Sequence, residues 1–201
     1  MTKVCRPQIE AWSHISSSIE SFISLGLYHE PLLENAMDLY KFHRAIELAR
    51  DFAALLAPGI QELLARTDQN SLSPIILIPV PLHKRRIRER GFNQNLLLAK
   101  MICHFLQAKL PEQSIRYRDD LVIRTRHTQH QTTVAANERI KNLENAFELT
   151  SVASHVIPNA TIILIDDIVT TGATLNELAG IVHTLQPRII HAASVLRSSL
   201  S

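Results

Sequence analysis

The sequence predicts an α/β domain with a mainly parallel sheet. Three observations carry that expectation: a proline-bounded apolar run at residues 74–81, a second apolar run at 161–165 that ends in Asp166-Asp167, and helical periodicity after each. Continuous apolar runs of this length suit strands buried on both faces. Strands alternating with helices suit parallel pairing through crossovers.

Taken in order, residues 1–30 are weakly patterned, with serines at 16–18. From 34 to 64 apolar residues recur at helical spacing, and Pro58-Gly59 is expected to break or kink the run. Residues 1–70 therefore read as an N-terminal helical appendage, and 71–201 as the main domain. Within the latter, 74–81 is a strand, 93–110 a helix, 121–123 a second strand and 147–149 a short edge strand. The best strand is 161–165; a helix follows over 174–185, ended by Pro187, and a last strand over 189–196. Residues 124–142 are polar and basic without a strand pattern, and a long segment of that kind inside a compact domain is often functional.

At 201 residues the chain is long enough for one domain with a sizeable core. Hydrophobic residues make up 46% and charged residues 20%, and the net charge of +2 is too small to argue for nucleic acid by itself. Cys5 and Cys103 are far apart, so a disulfide framework is not expected. The N-terminus lacks the apolar core of a secretory signal, and no stretch nears the roughly 18 apolar residues of a spanning helix. The expectation is a cytoplasmic protein with no membrane insertion.

The chemistry concentrates in residues 162–174, I-I-L-I-D-D-I-V-T-T-G-A-T. Ligands of open α/β sheets sit beyond the carboxyl ends of the strands, where Asp166 and Asp167 are expected. Thr170, Thr171, Gly172, Ala173 and Thr174 then open a helix. Hydroxyls, loop amides and a helix N-terminus together make an anion site, and Gly172 permits close approach. A carboxylate about 4 Å from a phosphate charge is repelled by roughly 4 kcal/mol at an effective dielectric near 20. The acidic pair should therefore face sugar hydroxyls while the loop holds the phosphate, a combination that specifies a ribose 5-phosphate. The G-x-x-x-x-G-K-[ST] of a Walker loop is absent.

This run resembles the phosphoribosyl pyrophosphate (PRPP) signature of type I phosphoribosyltransferases. Two further blocks resemble competence-F (ComF-type) proteins: residues 80–94, V-P-L-H-K-R-R-I-R-E-R-G-F-N-Q, and residues 124–147. In the first, the pattern is met at Pro81, His83, Arg86, Arg90, Gly91, Phe92, Asn93 and Gln94. In the second it is met at Arg124, Thr128, Gln131, Arg139, Asn142 and Phe147, with Val134 where leucine is usual.

The resemblance implies the type I phosphoribosyltransferase fold with a flexible hood loop over 124–142. It implies PRPP as ligand, Mg²⁺ with it, and pyrophosphate contacts from the basic segment after the first strand. Arginine suits bidentate phosphate contacts; Arg86 and Arg90 are the favoured pair, with Arg85 and Arg88 facing water. Arg124, Arg126 and Gln131 are the hood candidates. It further implies a role in DNA uptake, single-stranded DNA as a partner and a competence helicase as another. The zinc module of similar proteins needs four cysteines. Only Cys5 lies in that region, so zinc is not expected and no metal ligand is assigned. A metabolic phosphoribosyltransferase acting on a base or amine, and a non-catalytic nucleotide sensor, are the competing readings. The acceptor and the oligomeric state stay open.

Overall fold

The computed structural model describes residues 7–11, 18–27, 30–42, 45–67, 73–126 and 146–198. Along the chain these form β1 (Gln8–Ala11), β2 (Ser21–Leu27), α1 (Pro31–Phe42), α2 (Leu48–Thr67), β3 (Ile75–Pro79), α3 (Lys84–Arg90) and α4 (Gln94–Lys109). There follow β4 (Ile115–Tyr117), β5 (Val122–Arg124), β6 (Phe147–Leu149), α5 (Ala153–Val156), β7 (Thr161–Val169), α6 (Ala173–His183) and β8 (Ile189–Arg197).

The main sheet has the order β1-β2-β8-β7-β3-β4. Every neighbouring pair is parallel except β1 with β2. β5 and β6 form a separate antiparallel pair. The period-2 alternation of β7 divides two cores. Ile163 and Ile165 pack with residues of α1, α2 and α4, such as Met37, Leu56 and Leu98. Ile162 and Leu164 pack with residues of α6 and the β5–β6 pair, such as Leu178, Val122 and Phe147. Burial on both faces is why these strands read as unbroken apolar runs.

Two expectations are corrected here, and one helix is added. Residues 1–30 hold two strands of the main sheet; β2 is buried through its middle, but Ser21 and Ser24 interrupt its apolar pattern. The Pro58-Gly59 break does not occur, and α2 runs through it to Thr67. The buried stripe of Phe52, Leu56, Ile60 and Leu63 outweighs the lost hydrogen bond, which costs about 3 kcal/mol. Gly59 has a packing reason, since a Cβ there would lie 2.5 Å from the Pro7 side chain. The basic segment after β3 is a helix, α3. The His83 side chain accepts from the Arg85 amide at its start, and Gly91, at φ 83°, ends it.

The parallel register sets the site. Pro79 lies opposite Ile165, and the Val80 amide donates to the Ile165 carbonyl at 2.8 Å. The chain leaving β3 thus runs beside the Asp166-Asp167 end of β7.

Candidate functional site

The acidic pair belongs to β7 itself, which extends past Ile165 to Val169. Both aspartates are buried, with 9% of Asp166 and 6% of Asp167 exposed. Each carboxylate accepts the amide of the residue after it. Asp167 N donates to Asp166 Oδ1 at 2.9 Å, and Ile168 N donates to Asp167 Oδ1 at 2.6 Å.

The remaining partners come from α1 and α4. Lys41 Nζ lies 2.8 Å from Asp167 Oδ2, and Gln94 Nε2 donates to the same oxygen at 2.8 Å. Asn95 Nδ2 reaches Asp166 Oδ1 at 3.0 Å and the Val80 carbonyl at 3.1 Å. Asn93 caps α4 by accepting from the Asn95 amide, which fixes the first turn that carries both amide side chains. Tyr40, fully buried, donates from its hydroxyl to the Gln94 carbonyl at 2.6 Å. Burial raises the Tyr40 phenol well above its ordinary value, and the Asp167 charge adds to this.

Two adjacent buried carboxylates cannot both ionise cheaply. Burial, and then the negative charge of Asp167, push Asp166 up to about 7. Burial also acts against Asp167, but the Lys41 ammonium overrides it and holds Asp167 below its ordinary value. Lys41 thus decides which of the pair keeps its charge.

The loop after β7 turns through Gly172, at φ 74°, into α6. A β-branched side chain is strongly disfavoured at that angle. Thr170 is exposed, Thr171, Ala173 and Thr174 are half-buried, and the Thr171 hydroxyl accepts from the Ala173 amide at 3.4 Å. Ser198 ties the loop to β8, donating from its hydroxyl to the Thr170 carbonyl at 2.9 Å.

On α3, Arg86 and Arg90 lie one turn apart and are half-buried, whereas Arg85 and Arg88 are exposed. The Arg90 guanidinium sits 5.2 Å from the Phe42 ring centroid. Burial lowers its pKa, partly offset by the charges of Asp167 and Asp166, and the Arg86 charge lowers it further. Arg124 stacks 5.3 Å from the Phe147 ring centroid; burial lowers its pKa while the Asp166 charge raises it. Asp166, Asp167, Arg86, Arg90 and Arg124 therefore share one electrostatic neighbourhood. Arg126 is exposed, and Gln131 lies outside the described residues.

Lys41 and Asn95 have no part in the sequence reading, and Gln94 enters it only as a match to the family pattern. Gln94-Asn95 leaves a signal, two consecutive amides at the head of an otherwise apolar helix face. Lys41 leaves none, because it reaches the site only through the packing of α1.

The arrangement brings a buried acidic pair, a glycine turn and the arginines of α3 together beyond the carboxyl ends of β7 and β3, inside the sheet. The phosphoribosyl transferase domain family matches residues 107–199, which include β7, the turn and α6. Competence protein F of Haemophilus influenzae is 33% identical over 181 residues, 90% of this chain and 71% of that protein. DNA utilization protein YhgH of Salmonella typhimurium is 34% identical over 160 residues, 80% of this chain and 64% of that protein. Competence protein ComFC of Bacillus subtilis is 27% identical over 178 residues, covering 88% and 64%. The chain spans about two thirds of the length of these relatives. An asparagine mutant solved in an analysis of an invariant aspartic acid in HPRTs overlaps 78% of this chain and 71% of that one, at a TM-score of 0.45 and 16% identity. With a third of its positions identical along nine tenths of its length, and with that transferase domain over the strand, turn and helix of the site, the chain belongs to the competence protein F family.

Proposed function

We propose that the protein binds PRPP at the carboxyl end of β7 and β3 and serves DNA uptake from the cytoplasmic side. One observation carries the reading: a buried acidic pair runs directly into a glycine turn and helix N-terminus, with Arg86 and Arg90 in the same electrostatic field. The carboxylate end accepts the ribose hydroxyls. The turn from Thr170 to Thr174 wraps the 5-phosphate through its amides and hydroxyls. Arg86 and Arg90 take the pyrophosphate. The names of the relatives, competence protein F and DNA utilization protein, support the biological role. Single-stranded DNA is the proposed macromolecular partner, held by phosphate contacts along the basic face.

Mg²⁺ fits this site. Among the described residues no three His, Cys, Asp or Glu side chains are placed to cage a metal. Mg²⁺ needs no such cage, since one or two carboxylates plus substrate phosphates suffice. The hydrogen bonds to Asp166 both fall on Oδ1, so Asp166 would hold the ion, directly or through water. When bound it neutralises pyrophosphate charge.

Calorimetric titration of PRPP and ribose 5-phosphate, with and without Mg²⁺, tests the reading. PRPP is expected to bind more tightly than ribose 5-phosphate, and both are expected to fail with Gly172→Val. Unchanged ribose 5-phosphate affinity in that variant would overturn the assignment. A screen for pyrophosphate release over bases, amines and oligonucleotides then identifies the acceptor.

A further inference from the structure

Lys41 and Tyr40 lie on α1, outside every segment that carries the phosphoribosyl motif, yet both reach its centre. Tyr40 donates to the Gln94 carbonyl, the Gln94 side chain donates to Asp167, and Asp167 pairs with Lys41. The four residues close a ring across α1, α4 and β7. Within it the Lys41 side chain is 12% exposed and that of Asp167 9%.

The two aspartates are enclosed differently. Asp167 receives Lys41 and Gln94 on Oδ2 and the Ile168 amide on Oδ1. A carboxylate offers about four acceptor positions, so little capacity remains. Asp166 receives the Asn95 side chain and the Asp167 amide, both on Oδ1. For Asp167 to turn Oδ2 to a sugar hydroxyl it would have to release Lys41 and leave an ammonium buried without its partner, and its Oδ1 already holds the Ile168 amide. That loss exceeds the gain from one hydroxyl contact.

We propose that Asp167 anchors Lys41 and does not contact the sugar, and that Lys41 is a positioning residue that leaves Asp166 as the carboxylate facing the ligand. This rests on the phosphoribosyl reading above. Removing either partner alone leaves an unpaired charge beside Asp166. A freed Lys41 would occupy Asp166, and a freed Asp167 would repel an approaching anion. Removing both leaves no charge to compete.

The test measures PRPP affinity and thermal midpoint on the full chain for wild type, Asp166→Asn, Asp167→Asn, Lys41→Met and the Lys41→Met/Asp167→Asn pair. Each single variant is expected to lose about tenfold or more in affinity, whereas the double variant returns to within about fivefold of wild type. A double variant as weak as Asp167→Asn would place Asp167 or Lys41 on the ligand and overturn the proposal. So would single variants that lose midpoint but bind normally, since that is the signature of a purely structural pair. A wild-type chain that takes up no PRPP overturns the functional reading itself, an outcome distinct from wild-type binding without recovery in the double variant.

Discussion

Asp166 combines two costs, burial and a charged neighbour, which together raise it to about 7. A carboxylate raised above its unfolded value of about 4 holds its proton more tightly in the folded state. Its contribution to stability is fully present below that value and is lost as pH rises through about 7. Asn at this position accepts the same two hydrogen bonds on Oδ1 without ever ionising. Asp166→Asn should therefore gain on wild type between pH 5 and pH 8.5 by at least about 1 kcal/mol, or roughly 2–4 °C in melting temperature. Thermal melts at the two pH values decide this; a gap that does not change with pH would refute it. If Asp166 faces the ligand as proposed, the same variant should also bind PRPP more weakly. The pair itself is visible in the sequence as two acids after an apolar run. Which acid keeps its charge is not, because that depends on Lys41, 126 residues away and delivered by helix packing.

At the scale of elements, α3 and α6 flank the site from two sides. If Arg86 and Arg90 on α3 take the pyrophosphate, replacing both by Gln should reduce PRPP affinity about tenfold or more while changing ribose 5-phosphate affinity little. Equal losses for the two ligands, measured by calorimetry, would place these arginines elsewhere. A check on Arg90→Gln alone is needed as well, because its stacking on Phe42 also joins α3 to α1. On α6, Gly180 is exposed and a Cβ there would meet nothing within 4 Å. Gly180→Ala should stabilise the protein by about 0.5–1 kcal/mol through helix propensity alone, read as a higher denaturant midpoint with ligand affinity unchanged. The elements legible in the sequence are those whose burial matches a simple period. β3, β7, β8, α4 and α6 lie within a few residues of their expected places, with β7 running on past Ile165 to Val169 and so taking in the aspartates. α3 was illegible as a helix because none of its residues is buried, so it has no apolar stripe to read. β2 was illegible for a different reason: Ser24, polar yet buried, breaks the apolar run of a strand whose middle is buried.

At the scale of the whole molecule, charge is distributed rather than abundant. The chain carries 21 Lys and Arg against 19 Asp and Glu, yet α3 alone holds five basic residues in seven positions. Lys84, Arg85 and Arg88 are exposed, while Arg86 and Arg90 are half-buried and Arg90 feels the charge of the acidic pair. The helix thus has two faces, one half-buried and one exposed and basic. Phosphate contacts on the outer face would release counterions, so binding of single-stranded DNA should weaken steeply with salt. Stacking should add little, since Tyr, Phe and Trp make up 5% of the chain and Phe92 is already packed against the core. Reversing Arg85 and Arg88 to Glu should therefore abolish oligonucleotide binding at low salt and leave PRPP affinity unchanged. Removing Arg86 and Arg90 should weaken PRPP first. If PRPP and DNA share the edge of the cleft, saturating PRPP should also lower DNA affinity. Fluorescence anisotropy with a labelled oligonucleotide across a salt series reads all three effects. DNA binding that persists after charge reversal on α3, or that is absent even at low salt, would detach DNA from this face and leave a phosphoribosyl site serving a small acceptor.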